Sequence, residues 1–297
     1  MIKKTLGCVA VSSLVVIGIL VGGREVAQAQ SVLGNPATTV GTPGRFTIGI
    51  AAGSVQRYKF RSTSGSLDFI GPTRSLTAEI EDSDASFSGQ QIYLQSAIGI
   101  LPMADILVAV GAARIKDKDE FYNGAFGPAL ALGLRISPPS SGPVRIGLVI
   151  QSSYAKSRDD KIDGIFSVKQ IYPDGSYSWV DASVSGKEEL SIVRYDMLLG
   201  AALQNLTMVQ PYLGLLYSLV HGTDKADFSG NGAFTHSPPP QTDFGPISGS
   251  WDVNFTMSSP IGGVVGFHVF PNDPFNVDVE LQFGTQLSFM FVGNAAF

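Results

Sequence analysis

The chain has 297 residues, of which 44% are hydrophobic and 15% charged, with a formal net charge of −5 and one cysteine. An acidic balance with no basic cluster excludes the electrostatic footprint of a nucleic-acid-binding protein, and a single cysteine excludes a disulfide framework. No apolar run beyond residue 29 reaches the roughly 18 residues of a transmembrane helix.

In chain order, the first element is a secretory signal peptide. Lys3 and Lys4 precede an apolar run from Cys8 to Gly22, and Ala27-Gln28-Ala29 has the small-x-small pattern of a cleavage site. That run, as a helix, rises only about 22 Å against the roughly 30 Å of a bilayer core, so it is read as cleaved and not as an anchor. Loss of residues 1–29 removes Lys3, Lys4, Arg24 and Glu25, takes the net charge from −5 to −7, and removes Cys8. Residues 30–43 read as a flexible N-terminal segment, and 44–297 as one domain.

From residue 44 the pattern is period-2 alternation broken by segments rich in Gly, Ser, Asp and Pro. Phe46, Ile48, Ile50 and Ala52 share one face opposite Arg45, Thr47 and Gly49; Leu130, Leu132, Leu134 and Ile136 stand opposite Ala131, Gly133 and Arg135. Val144, Ile146, Leu148 and Ile150 oppose Arg145 and Gly147, and Leu213, Leu215, Tyr217 and Leu219 oppose Gly214 and Ser218. One face is greasy throughout and the other small or charged, unlike strands that share the core of a two-layer sandwich. Ten strands are predicted, at 44–60, 90–101, 106–116, 127–137, 144–157, 190–204, 211–222, 251–270, 275–283 and 287–297; eight is the alternative count. Pro260 is read as a bulge inside the eighth, which makes 251–259 a wall above the bilayer. The connections alternate in length. "LPMAD", "PPSSGP" and "PNDP" are tight turns, while 61–89, 158–189 and 223–250 are long, the third external loop carrying its own hairpin around Pro173-Asp174-Gly175. Long links on one rim, short ones on the other, and apolar-out strands of about 10 residues predict a closed antiparallel up-and-down transmembrane β-barrel with short periplasmic turns and long extracellular loops.

At the level of pattern, the chain from 44 to 297 resembles small bacterial outer-membrane β-barrel proteins, a group that includes the OmpA-type transmembrane domain and porin-like barrels. The resemblance implies residence in the outer membrane among lipid and lipopolysaccharide. It also implies a C-terminal signal read by the barrel-assembly machinery, here matched by Phe289, Phe291 and Phe297, whereas Ala295 departs from it.

Alternation turns Arg45, Arg135, Arg145, Asp278 and Glu280 inward near the short-turn rim, and Arg194 and Asp196 inward nearer the other. Arg135 and Arg145 are thereby positioned to approach Asp278 and Glu280 across the lumen. Two readings fit: a charged constriction that selects solutes, or an ion-pair network that fills a narrow interior. Tyr58, Phe60, Tyr93, Phe126, Tyr154, Tyr195, Tyr212, Tyr217, Trp251 and Phe275 read as interfacial girdles or as sheet packing. His221, His236 and His268 lie in no hydrolase motif, and the acidic runs lack EF-hand spacing, so no catalytic residue, cofactor or metal is expected. The functional expectation is a structural, surface-exposed barrel or a narrow porin-like channel, with no ligand of the external loops legible. The competing readings are a barrel enzyme acting on lipid and a secreted soluble β-sandwich.

Overall fold

The computed structural model describes residues 34–297 except 80–83, 118–123, 172–175, 205, 238–240, 258 and 285. The expected signal peptide and the Pro173–Gly175 turn lie outside the described residues, as do the side chains of Tyr58 and Phe60.

Twelve strands follow one another: β1 (Phe46–Ile70), β2 (Ser75–Glu79), β3 (Asp84–Leu101), β4 (Ala104–Asp117), β5 (Gly127–Ile136), β6 (Val144–Ile171), β7 (Tyr177–Leu203), β8 (Val209–Ser237), β9 (Gln241–Met257), β10 (Ile261–Val269), β11 (Phe275–Phe283) and β12 (Gln286–Ala296). Hydrogen bonding runs β1-β3-β4-β5-β6-β7-β8-β10-β11-β12 and back to β1, with every pair antiparallel. Ten strands therefore close the ring. Closure gives every strand of the ring a neighbour on both sides, which a sheet with free edges cannot do. The seam is tied by the Phe297 amide, which donates to the Phe46 carbonyl at 3.0 Å, and by stacking of the two rings at 5.7 Å.

Alternation decides which face is which. Ile48, Leu132, Ile146, Leu213 and Leu215 point outward and are 42–65% exposed, while Ala51, Ala131, Val149, Leu198 and Met290 point inward and are buried. A soluble β-sandwich would hide both apolar faces in one dry layer; this chain instead turns a continuous greasy belt away from its interior.

Two elements differ from expectation. The eighth strand, expected over 251–270, is two strands that break at Pro260, which has no N–H for a ladder; its carbonyl accepts from the Ser218 amide at 2.7 Å. Only β10 belongs to the ring. β9 lies above the ends of β10, β11 and β12, pairing its Thr256 with His221 of β8 and its Met257 with Phe60 of β1. The long loops, moreover, are largely strand. β6, β7 and β8 run 28, 27 and 29 residues, far beyond the roughly 9–11 needed to cross a bilayer. The hairpin expected in the third loop is their continuation, paired to Ile171 and Tyr177 after a register shift between Asp159 and Ile162. With β9, the upper part of β1, and β2, they form an extension beyond the ring with its own apolar core, including Phe69, Leu76, Val180, Phe228, Phe234 and Ile247.

Residues 34–40 of the N-terminal segment are held by contacts. Gly34–Ala37 are buried inside the short-turn end of the barrel, where a flexible tail was expected.

Candidate lumenal site

The lumen is filled in three successive layers. The first is a strap made by residues 34–40. The Val40 amide lies 3.1 Å from both carboxylate oxygens of Asp105. Arg135 pairs with Asp105 at 2.7 Å and donates to the Asn35 carbonyl and Thr38 Oγ1. Ser137 Oγ donates to the Ala37 carbonyl at 3.1 Å, and Arg145 Nη2 to Thr39 Oγ1 at 3.0 Å and the Ser137 carbonyl at 2.8 Å. Pro36 sits against Gly147 and Gly200, at both of which a Cβ would overlap it. These contacts satisfy most of the polar groups that would otherwise be stranded in a narrow interior, leaving Asn35 Nδ2 and Arg145 Nε without a partner among the described residues.

The second layer is polar. His268 Nδ1 lies 2.7 Å from Asp278 Oδ1, and Asn294 Nδ2 donates to Asn276 Oδ1 at 3.1 Å and Asp278 Oδ2 at 3.3 Å. Gln95 Nε2 donates to Asn294 Oδ1 at 2.9 Å. Tyr212 OH and Gln282 Nε2 donate to the two oxygens of Glu280 at 2.9 and 2.7 Å. Gln286 links Gln282 to Arg194, whose Nε pairs with Asp196 Oδ1 at 2.6 Å while Nη2 donates to Ser218 Oγ. Arg194 and Asp196 are both 2% exposed. Such a pair gains from mutual attraction only because the further hydrogen bonds offset desolvation.

The third layer is dry. Val55, Phe87, Ile115, Leu190, Ile192, Val220 and Phe255, drawn from β1, β3, β4, β7, β8 and β9, form one buried cluster, with Phe87 and Phe255 ring centroids 5.4 Å apart. Gly222 makes room for Phe255, whose ring occupies the space a Cβ would need. Phe255 and Met257 were expected on an extended wall; Phe255 instead belongs to this buried cluster and Met257 packs against it.

Of the residues singled out in the sequence, Arg194 and Asp196 meet each other. Arg135 and Arg145 do not reach Asp278 or Glu280, because the strap and Asp105 take the two arginines while His268, Tyr212 and Gln282 take the two acids. Arg45 stays exposed at the rim and is in no ion pair among the described residues. Asp105 was missed because it was read as part of a tight turn, although in register it stands opposite Arg135. Among the aromatics, Phe126, Tyr195 and Tyr217 face outward and are 41–51% exposed, whereas Tyr93 and Tyr212 are buried in the lumen and Trp251 packs in the extension. Phe289 faces outward, edge-on to Phe291 at 4.7 Å.

Beside the strap is a cavity of about 500 Å³ bounded by Thr38, Gln95, Ala131, His268, Asn276 and Asn294 and reaching the rim at Arg45 and Asp273.

No protein-family model matches the chain, and no curated protein matches it. Among solved structures it is similar to the CymD monoaromatic hydrocarbon channel, with 10% identity, 88% of this chain and 90% of that one covered, and a TM-score of 0.30. It is also similar to Ail, the attachment invasion locus protein of Yersinia pestis (11% identity, 86% and 99% covered, TM-score 0.24), and to the Ralstonia pickettii toluene transporter TbuX (9%, 88% and 91%, 0.29). All three are outer-membrane β-barrel proteins. Similarity at this level assigns no function, and the fold stands on the strand pairings themselves.

Proposed function

We propose that this protein is a closed barrel of the outer membrane that conducts no solute and carries a β-rich extension on the outer surface. The outward belt of Leu, Ile and Val matches a hydrocarbon surround, and the even ring puts both ends of the described chain on the short-turn rim, the periplasmic side of such barrels. The observation that carries the closed reading is the apolar layer around Phe255. Water-filled pores are lined by polar groups, and a dry constriction blocks ions by dewetting. The polar network beneath it is a filling whose members mostly bond one another, with Asp196 Oδ2 left without a partner among the described residues, which favours the ion-pair reading over a selectivity filter.

The extension is the part available to partners outside the cell, while lipid and lipopolysaccharide surround the belt and the assembly machinery reads Phe289, Phe291 and Phe297. Lipid hydrolysis is the weaker reading: the Ser178 Oγ–His236 Nδ1 contact at 3.1 Å lies in the extension and not on the outward apolar belt, His268 is held by Asp278, and His221 lies exposed on β8. Planar-bilayer recording on the mature chain tests the proposal. A flat baseline is expected, and unitary current steps from the unaltered protein would overturn it.

A further inference from the structure

The cavity beside the strap has a chemistry of its own. Its volume of about 500 Å³ falls within the roughly 300–1,000 Å³ usual for small-molecule sites. One wall is the carboxamide ladder Gln95, Asn294, Asn276. Gly49 permits that ladder, since a Cβ there would overlap the Asn294 carboxamide. Each carboxamide offers two donor hydrogens and an acceptor oxygen. Asn294 spends both its hydrogens on Asn276 and Asp278. That leaves Gln95 Oε1 as an acceptor, and the Asn276 amide hydrogens as donors, with no partner among the described residues.

The adjoining wall, from β3, β4 and β5, is small and apolar: Ala97, Leu107, Ala109 and Ala131. The charged groups of the lining have partners or a neighbour of opposite sign. Arg135 is paired with Asp105, Asp278 is bonded by His268 and Asn294, and the rim carries Arg45 and Asp273 with opposite signs.

A site with unspent carboxamides, a shallow apolar wall and charged groups already engaged with their own partners suits a ligand with many hydroxyls and no charge. We infer that this vestibule binds a short neutral saccharide entering from the periplasmic rim, its hydroxyls meeting Gln95 and Asn276 and a C–H face lying on the alanines. The inference rests on the barrel reading above, because only a closed ring encloses the vestibule, but it is independent of whether the lumen conducts.

The test is saturation-transfer NMR with diacetylchitobiose and cellobiose on the full mature chain in a sugar-free detergent, lauryldimethylamine oxide. Heat-modifiable gel migration is recorded on the same samples. Transfer is expected to at least one disaccharide from the unaltered protein. It should be abolished by Ala131→Phe, which fills the cavity without touching the ladder. Asn276→Leu should weaken it about tenfold, the loss expected for one or two neutral hydrogen bonds. Ser140→Ala, on an exposed turn away from the cavity, should leave it unchanged. No transfer from a heat-modifiable sample overturns the inference while leaving the barrel intact, and transfer that survives Ala131→Phe overturns it as well. A sample without heat-modifiable migration overturns the barrel reading instead.

Discussion

Gly147 and Pro36 fit so closely that a methyl group on Gly147 would overlap the Pro36 carbonyl oxygen. Gly200 faces the Pro36 ring with the same lack of room. Two glycines on neighbouring strands, paired in register with each other, thus form a slot shaped for one proline of the strap. Gly147→Val should expel the strap, since overpacking of this kind costs about 1–3 kcal/mol. Cys8 is the chain's one cysteine and lies in the expected signal peptide, so Thr38→Cys supplies a single reporter. Maleimide labelling of Thr38→Cys in detergent should be slow in the parent and about tenfold faster or more with Gly147→Val, as a shift of about 1.4 kcal/mol per decade implies. Equal rates would mean that the strap is not held by this slot.

The second anchor is Asp105, whose carboxylate accepts from the Val40 amide and pairs with Arg135. Asp105→Ala leaves Arg135 without its acid, within electrostatic reach of Arg145. Breaking a buried pair on one side costs about 3–5 kcal/mol; here the Arg135 side chain is 12% exposed, so the lower end is expected. Replacing both residues together by Leu should recover most of that loss. Urea titration of the refolded barrel in lipid vesicles, read by tryptophan fluorescence and gel migration, measures both. A double variant as unstable as Asp105→Ala would show that the pair stabilises more than the strap contacts suggest.

On the closed reading, the outer two of the three lumenal layers can be removed one at a time. Deleting residues 30–40 should leave the bilayer silent, because the cluster around Phe255 still seals the lumen. Adding Phe87→Ala and Phe255→Ala to that deletion should produce small current steps, because the polar layer that remains is wettable, at a cost of about 3–5 kcal/mol for each buried ring removed. Steps from the deletion alone would make the strap the gate and the apolar layer leaky.

The barrel was legible in the sequence because its physical cause is local. Lipid outside and a narrow lumen inside write period-2 alternation into each strand, as in Leu213, Leu215, Tyr217 and Leu219, and the turn residues mark the reversals. The interior was less legible. The strap spans a few residues with no periodicity, so Pro36 carries no signal until Gly147 and Gly200 are seen beside it. Asp105 lay in a turn motif that concealed its register with Arg135. The strand expected over 251–270 failed because alternation persists on both sides of Pro260 while the ladder changes partners, from β8 and β1 to β8 and β11. Pairing across the lumen is decided by distances that alternation does not encode, which is why Arg135 was matched to the wrong acids.

The last strand joins geometry to assembly. Phe297 closes the ring twice, through its amide to the Phe46 carbonyl and through its ring on that of Phe46, while Phe289 and Phe291 repeat on alternate positions below it. Deleting Phe297 removes one seam hydrogen bond and one aromatic contact, worth together about 1–3 kcal/mol, too little by itself to unfold a closed barrel. Refolding in vitro should therefore reach nearly the parent yield, whereas the folded fraction recovered from cells should fall severalfold if the terminal residue is also read during assembly. Quantifying heat-modifiable protein in both settings separates the two roles: a parallel drop in vitro and in cells would reduce Phe297 to a seam residue alone.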